Sequence, residues 1–311
     1  MAKNIYNKFI ITIFIITLII KSKILEKNIR ICLCTTGKRE NLYVREYIEH
    51  YKKYGVDKIF IYDNNDLNGE RFEFIIKDYI NIGFVEVINY RGILSPQKNA
   101  YNDCLNNNYK NYNWLIFYDM DEFIYLKNLK NLKIFLNNKK FNNCQSIQLN
   151  WIFHTDNNLI YYDNRTLKKR FPEKEDISIK NNKKIQGIKS ILKGNIKINI
   201  TDVHILSENL TCCNGFGKNI EEKKIFTYYP DFHYYYIDHY YSKSTEEFLS
   251  KLKRGSAVHG YNILHLIMRI RVYFNMNKIT KEKIDYIEKE IKLNLSEYRN
   301  RTKISKDNNK N

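Results

Sequence analysis

Short apolar runs alternate with amphipathic segments along the first part of the chain. Four runs rich in β-branched and aromatic residues predict buried strands, at residues 29–34, 57–63, 83–90 and 113–119. Between them, residues 42–55 carry apolar positions at helical spacing and end at Gly55, a residue typical of helix C-termini. Another helix is predicted to begin after "SPQ", residues 95–97, and to run to about residue 109. This alternation is typical of an α/β fold, with a mostly parallel, Rossmann-like sheet and flanking crossover helices.

The pattern weakens in the second half of the chain. Residues 159–200 are rich in Lys and Asn and show little periodicity, so we expect loops and short strands there. Three C-terminal helices are predicted, the first with Ser244 or Thr245 as its N-cap, at about residues 244–255, 262–275 and 280–293. The final "KDNNKN" has the composition of a disordered tail. We therefore expect one domain over residues 29–275, followed by a helix and tail over 276–311.

The N-terminus contains the apolar segment "FIITIFIITLII", residues 9–20, with lysines on both sides. Twelve helical residues span about 18 Å, which is shorter than the hydrocarbon core, but lysine side chains can extend the effective length. No small-residue cleavage site follows the segment. We expect residues 1–28 to form an uncleaved signal anchor that attaches the chain to a membrane as a single pass, in the secretory pathway if the organism is eukaryotic. The alternative is a core helix or strand.

The charge of the chain changes this picture little. Its 311 residues carry a formal net charge of +18, which could attract nucleic acid or an anionic membrane surface. The lysines and arginines are distributed along the whole chain, however, and no block of five or six like charges occurs. We therefore expect no nucleic-acid partner.

The six cysteines do not form a metal-binding pattern. There is no CxxC motif and no histidine at zinc-finger spacing, so a structural zinc is not expected. Cys32 and Cys34 alternate within an apolar run and are expected in the core, whereas Cys212 and Cys213 are adjacent in a loop-like stretch and could form a bridge.

Two acidic turns follow predicted strands. Asp63 ends the second strand, and the fourth strand runs into Asp119, Asp121 and Glu122. Ligands of open α/β sheets bind at the carboxyl ends of the strands, so these carboxylates lie where a ligand is expected. Carboxylate pairs suit Mg²⁺ or Mn²⁺, which keep coordination positions for a diphosphate. The D-x-D pattern therefore favours departure of a nucleoside diphosphate with its charge neutralised by a metal. A solvated turn is the alternative.

A family resemblance joins these features. In order, the segments "KRENLYVREY", "HYKKYGVDKIFIYDNN", "QKNAYNDCL" and "WLIFYDMDEF" resemble those of a GT-A-fold glycosyltransferase of the family 92, family 2-like type. Weaker similarity continues to about residue 258. Four positions depart from the family pattern: Arg39, Tyr47, Asp66 and Asn68. The resemblance implies a GT-A-type sheet, a nucleotide-sugar donor, with a UDP-sugar favoured, a glycan or other hydroxyl acceptor, and Mn²⁺ or Mg²⁺.

The resemblance also implies roles for the acidic turns. Asp63 would contact the base or ribose, with Asn64 beside it. Asp119 would face the ribose or the metal, and Asp121 would bind the metal. A distal histidine often completes such a site; His239 is our first choice, and His204 our second.

Other candidates are less closely tied to a motif. Arg170 and Lys189 could meet phosphate oxygens, although either could be a surface cation. Gln97 could contact the donor or cap its helix. An inverting transferase needs a carboxylate base, for which we name Asp156, with Glu122 as the runner-up. Trp151 could stack on a sugar ring or belong to the core.

The resemblance thus implies a metal-dependent, inverting hexosyltransferase. Two alternatives use the same features. A metal-dependent phosphoesterase could use the acidic turn, and a basic, non-catalytic protein could bind a membrane or nucleic acid. The first usually needs more Asp and His ligands than we find, and intact carboxylates in both turns argue against the second.

Overall fold

A computed structural model describes residue 12 and residues 29–129, 131–176, 185–221, 225–228, 232, 234–255 and 263–293. The predicted membrane segment 9–20, except Thr12, and the predicted disordered tail lie outside these ranges. In the part of the chain that is described, no helix has both the length and the apolar character needed to cross a bilayer.

The described elements alternate as the sequence predicts. In chain order they are β1 Ile31–Gly37, α1 Val44–Lys53, β2 Lys58–Asp63, α2 Phe72–Ile75, α3 Lys77–Asn81, β3 Val85–Asn89, α4 Gln97–Asn108, β4 Trp114–Phe117, β5 Glu122–Leu126, α5 Leu132–Leu136, a 3₁₀ turn Lys139–Phe141, β6 Ser146–Phe153, α6 Leu167–Arg170, β7 Ile185–Lys193, β8 Cys212–Asn214, β9 Phe226–Tyr228, β10 Tyr235–His239, α7 Thr245–Lys253, α8 Ile263–Met276 and α9 281–293.

The main sheet has the strand order β3-β2-β1-β4-β7-β6-β10-β5, with β8 beside β6 and β9 beside β7. The pairs β3–β2, β2–β1 and β1–β4 are parallel, whereas β7 runs antiparallel to both β4 and β6. The predicted α/β class with flanking helices is therefore confirmed. The carboxyl ends of β2, β1 and β4 meet at one edge, as parallel pairing requires.

Local sequence explains why these elements form. Along α1, Val44, Tyr47, Ile48 and Tyr51 are buried at the i, i+3, i+4, i+7 spacing of one helix face. The chain leaves the helix through Gly55, whose φ of +85° is a conformation that glycine adopts without steric cost. The strands β2 and β4 are buried almost throughout, because helices cover both faces of a parallel sheet.

The second half of the sheet curls. Only residues 118–121 separate β4 from β5, yet β5 stands at the far end of the path β4-β7-β6-β10-β5. The five strands must therefore bend round until the first and last approach each other. The acidic turn, residues 119–122, connects these two ends.

The chain divides into two compact units, whereas the sequence predicts one domain over residues 29–275. Unit 1 comprises Met1–Ile152 and Ser178–Asp238 and holds nearly all of the sheet. Unit 2 comprises Phe153–Ile177 and His239–Asn311, and its described part contains α6 to α9. Helices begin and end close to the three predicted C-terminal ranges, and Ser244 is the N-cap of α7, with a complete capping box to Glu247.

Two disulfides lie within unit 1. Cys34 of β1 is joined to Cys104 of α4, and Cys144 is joined to Cys213. Cys32 and Cys212 are buried thiols. The expectation of Cys32 and Cys34 in the core is confirmed, and Cys213 of the vicinal pair does form a bridge.

Candidate active site

Two strands position the acidic turns at one edge of unit 1. Asp63 is the last residue of β2, and Asp119 follows β4 by two residues. Because β1 pairs in parallel with both strands, the two turns lie on the same side of the sheet. The sequence-based expectation of a carboxylate edge is thus confirmed by the strand order.

Asp63 is almost completely buried, and the chain itself occupies both of its carboxylate oxygens. The backbone N–H of Asn65 donates to Oδ1 at 2.9 Å, and Arg91 Nη1 donates to Oδ2 at 2.7 Å. Arg91 also donates to the carbonyl oxygens of Asp66 and Glu70. Asp63 therefore fixes the loop after β2 through the guanidinium that follows β3.

Asn64 contributes to the same arrangement. Its Nδ2 donates to the carbonyl oxygens of Tyr90 and Ile93, at 2.9 and 2.8 Å, so it ties the loop after β2 to the loop after β3. Sequence reasoning missed Arg91. The available signal was a cation directly after the third strand, opposite an acidic turn.

Two departures from the family pattern pair with each other. Arg39 Nη2 lies 3.1 Å from Asp66 Oδ2, and Lys38 Nζ lies 2.8 Å from Oδ1 of the same carboxylate. The ammonium of Lys38 and the guanidinium of Arg39 lower the pKa of Asp66. A third departure, Tyr47, donates its hydroxyl to the carbonyl oxygen of Tyr118, directly before the acidic turn.

The turn 119–122 is closed by two reciprocal hydrogen bonds. The N–H of Asp119 donates to Glu122 Oε2 at 3.0 Å, and the N–H of Glu122 donates to the carbonyl oxygen of Asp119 at 3.1 Å. Below it, Tyr51 of α1 donates its hydroxyl to the Glu122 carbonyl oxygen at 2.8 Å. The backbone of the turn is therefore held before any ligand arrives.

The structure brings Gln97 and Lys189, two sequence-predicted residues, to Asp119, together with Tyr101, which the sequence analysis did not single out. Its Oδ1 accepts hydrogen bonds from Gln97 Nε2, from Tyr101 OH at 3.1 Å and from Lys189 Nζ at 2.9 Å. Gln97 and Tyr101 are one turn apart on α4, so both point to the same carboxylate. Gln97, the first residue of α4, therefore also contacts the acidic turn through its side chain. Lys189 was expected at phosphate oxygens, and in this structure its ammonium contacts carboxylates instead.

Burial and neighbouring charges shift the pKa values of this cluster. Burial acts to raise the pKa of Asp119, but the Lys189 ammonium outweighs burial and leaves that pKa below its ordinary value. Burial raises the pKa of the Glu122 carboxyl well above its usual range. Burial would lower the pKa of Lys189, yet Asp119 and Glu122 raise it. The ammonium and the Asp119 carboxylate are therefore both charged.

Asp121 and His204 are also close enough to act on these charges. Asp121 is 5% exposed and acts on the pKa of Asp119 and of Glu122. Burial first, and the Lys189 ammonium second, lower the pKa of His204 to about 4, so its imidazole is neutral at pH 7. His204, our second choice of histidine, belongs to unit 1 and acts on the pKa of Asp119, whereas His239 belongs to unit 2.

Trp151 of β6 packs against Gly187 of the neighbouring strand β7. An added Cβ at Gly187 would lie 2.1 Å from the Trp151 ring, so glycine is required for this close approach. The ring also meets His204 edge to face, with centroids 5.2 Å apart. These contacts favour the core interpretation of Trp151.

Asp156, the predicted base, lies in unit 2 and is buried. Lys283 Nζ lies 2.7 Å from Asp156 Oδ2, and the Tyr273 hydroxyl donates to the same oxygen at 2.9 Å. The role of Asp156 as a base stays a prediction, set against the structural role that these contacts define.

The other two predicted residues of unit 2 are also engaged. Arg170 forms a bidentate pair with Glu247, with distances of 2.7 and 3.1 Å, in place of the predicted phosphate. His239 ends β10, and its ring lies 5.1 Å from that of Phe153.

The donor types in unit 1 fit a hard divalent cation. Asp119 and Asp121 supply carboxylates, and Oε1 of Glu122 is buried with no hydrogen-bond partner among the described residues. Mg²⁺ and Mn²⁺ commonly take one or two carboxylates and fill their remaining positions with water and phosphate oxygens. Within the described ranges, no group of three or more His, Cys, Asp or Glu side chains is arranged to hold a metal.

A family model and a curated relative both assign the chain to the same protein family. The model of glycosyltransferase family 92 matches residues 27–295. A glycosyltransferase family 92 protein of Arabidopsis thaliana is 29% identical over 100 residues, which are 30% of this chain and 16% of that protein. The chain thus matches only a small part of the length of this curated relative.

Solved structures give weaker similarity. The crystal structure of S. aureus TarS 1–349 in complex with UDP has a TM-score of 0.30 and 14% identity, over 41% of this chain and 36% of that one. Another structure of TarS 1–349 has a TM-score of 0.35 and 11% identity, over 82% of this chain and 68% of that one.

Proposed function

The chain belongs to glycosyltransferase family 92, and on this premise we propose that it transfers a sugar from a nucleotide-sugar to a hydroxyl group of a glycan or glycoconjugate, in a metal-dependent reaction. The observation that carries the proposal is the acidic turn 119–122, held ready at the carboxyl edge of the sheet. The donor is a UDP-sugar in this proposal, and the anomeric configuration is inverted.

The chain's own residues prepare the turn for such a donor. Gln97, Tyr101 and Lys189 all donate to Oδ1 of Asp119, which leaves Oδ2 for a ligand. Asp119 and Asp121 would hold Mn²⁺ or Mg²⁺. When bound, that ion supplies positive charge to the departing nucleoside diphosphate. Since the three donors come from two different elements, the carboxylate has little freedom to reorient, and preorganisation of this kind lowers the cost of charge development.

The loop after β2 would receive the nucleoside. Asp63 and Asn64 fix this loop to the segment 90–93, so its backbone is held in one conformation before binding. In this proposal Asp63 shapes the nucleoside site through Arg91 and the loop, because its own oxygens already have donors.

The predicted segment 9–20 would anchor the chain in a membrane and bring the sheet edge near membrane-associated acceptors. This part of the proposal has its basis in the sequence alone, with the apolar run between lysines as its support.

A panel of nucleotide-sugars tests the proposal. Full-length protein is incubated with UDP- and GDP-sugars, and release of the nucleoside diphosphate is measured with added Mn²⁺ and with EDTA. We expect release from one donor, dependent on the metal and increased by a suitable acceptor. If release of the nucleoside diphosphate is unchanged in EDTA, the proposed metal dependence is wrong. If the protein hydrolyses simple phosphate esters and not nucleotide-sugars, it is a phosphoesterase.

A matched pair of variants identifies the site. Asp121→Asn should abolish release, because it removes a carboxylate from the turn without changing its size. Asp163→Asn is the control, since this carboxylate in unit 2 pairs with Arg165 at 2.6 Å in a partly exposed position. Equal loss in both variants would assign the effect to folding and not to the acidic turn.

A further inference from the structure

Lys189 is an unusual cation for its surroundings. Its side chain has no solvent exposure, and Nζ lies 2.9 Å from Asp119 Oδ1 and 3.8 Å from Glu122 Oε2. An isolated ammonium is costly to bury, so these carboxylates must compensate for the lost hydration. The dependence is mutual, because Glu122 is also fully buried.

The position of Lys189 is set independently of the turn. It belongs to β7, paired with Leu149 of β6, and β7 also runs antiparallel to β4. The sheet therefore holds the ammonium against the turn. The ring of Tyr101 lies 5.6 Å from Nζ and adds an aromatic face on one side.

A fixed ammonium here must act on any second cation. Asp119 Oδ1 already accepts from three donors, and a divalent ion beside the same carboxylates would be repelled by the Lys189 charge. Burial weakens screening by water and salt, so the repulsion persists at ordinary ionic strength.

We propose that Lys189 is a positioning residue that serves as a resident counter-cation: it keeps the acidic turn folded while no metal is bound, and it lowers the affinity of the turn for a divalent cation. This inference rests on the proposed function. Its consequence is that the metal binds tightly only together with the diphosphate, whose negative charge offsets the repulsion.

Mn²⁺ alone is the probe. Its dissociation constant is measured calorimetrically on full-length protein without donor, and thermal unfolding is followed with and without Mn²⁺. For Lys189→Met we expect a lower unfolding temperature without metal, recovery of much of this loss with Mn²⁺, and Mn²⁺ binding that is tighter by on the order of tenfold, a usual size for coupling between two sites.

Controls separate charge from packing. Lys189→Arg should keep wild-type behaviour. Lys193→Met, on the same strand, removes an ammonium that donates to the Asn142 carbonyl oxygen, and should leave Mn²⁺ binding unchanged. If Lys189→Met does not fold, Glu122→Gln is compared with the double variant K189M/E122Q, which lacks both the ammonium and the carboxyl group; the double variant should bind Mn²⁺ more tightly than the single one.

The outcomes distinguish the inference from the function. Mn²⁺ binding that is unchanged or weaker without the ammonium overturns the inference and leaves a metal-dependent transferase intact. Wild-type protein that binds no Mn²⁺, with or without UDP, overturns the metal requirement and the inference together.

Discussion

Arg91 Nη1 lies 2.7 Å from Asp63 Oδ2, and the two side chains are 6% and 1% exposed. This pair joins the ends of β2 and β3 at the edge where ligands of such sheets bind. Because both charges are buried, each is needed to compensate for the other.

Removing Arg91 should therefore destabilise the protein. We expect Arg91→Met to lower the free energy of unfolding by about 3–5 kcal/mol, the usual cost of leaving one member of a buried pair without its partner. Denaturant unfolding measures this. The control is Arg45→Met, which breaks the exposed pair with Asp78 and should leave the midpoint unchanged. Equal effects of the two substitutions would contradict the assigned role of burial.

Asp121→Asn should reduce metal-dependent transfer by at least about 100-fold, since the charge stabilisation that a bound metal supplies corresponds to several kcal/mol. The thermal unfolding midpoint without metal should not fall, because the substitution removes one of several neighbouring negative charges. Initial rates at saturating Mn²⁺ provide the measurement. A rate close to that of the wild type would exclude Asp121 from the metal site.

Stability measurements distinguish a catalytic role of Asp156 from a structural one. Its pair with Lys283 is 1% and 0% exposed, so Asp156→Asn and Lys283→Met should each cost about 3–5 kcal/mol of stability. The double variant should lose less than the sum of the two, because the charges disappear together. If Asp156→Asn instead abolishes transfer with unchanged stability, it acts as the base.

His204 should make stability depend on pH. Burial, followed by the Lys189 ammonium, lowers its pKa to about 4, below the value near 6.5 of the unfolded chain. Between these values the unfolded state binds the proton and the folded state does not, so stability is lost as the pH falls from about 6.5 to about 4. The loss from this group is roughly 3 kcal/mol. In His204→Asn this part of the pH dependence should disappear; an unchanged unfolding profile would rule it out.

Deletion of residues 1–24 should give a protein that is folded, active and released from membranes, because the first described strand begins at Ile31. Sedimentation with vesicles and donor hydrolysis measure the two properties. A deletion variant that fails to fold would place residues 9–20 in the core.

The sequence predicted the parallel half of the sheet well, because β2 and β4 are apolar runs that end in carboxylates and are separated by helical periodicity. It could not predict the curl or its partners. The contact of Lys189 with Asp119 joins residues 70 positions apart, and no local pattern encodes such a distance. For the same reason Arg39 and Asp66 were two separate departures in the sequence, while in the fold they form one ion pair.

The burial of Asp156 and Arg170 in ion pairs has a common physical origin. Both were chosen as polar residues in a loop-rich region, where solvent exposure is the usual state. Helices of unit 2 cover them, and each then requires a buried partner of opposite charge, Lys283 and Glu247. Sequence shows the presence of a charge, but not which later segment will cover it.

The strand order has a consequence for synthesis on the ribosome. Asp119 leaves the exit tunnel 70 residues before Lys189, the lysine that neutralises it. The strand β4 is likewise synthesised well before its antiparallel neighbour β7. A nascent chain that ends between them exposes an open strand edge beside uncompensated carboxylates, a species prone to aggregate. Truncated genes that end before β7 should accordingly produce insoluble protein, although they encode every carboxylate of the acidic turn.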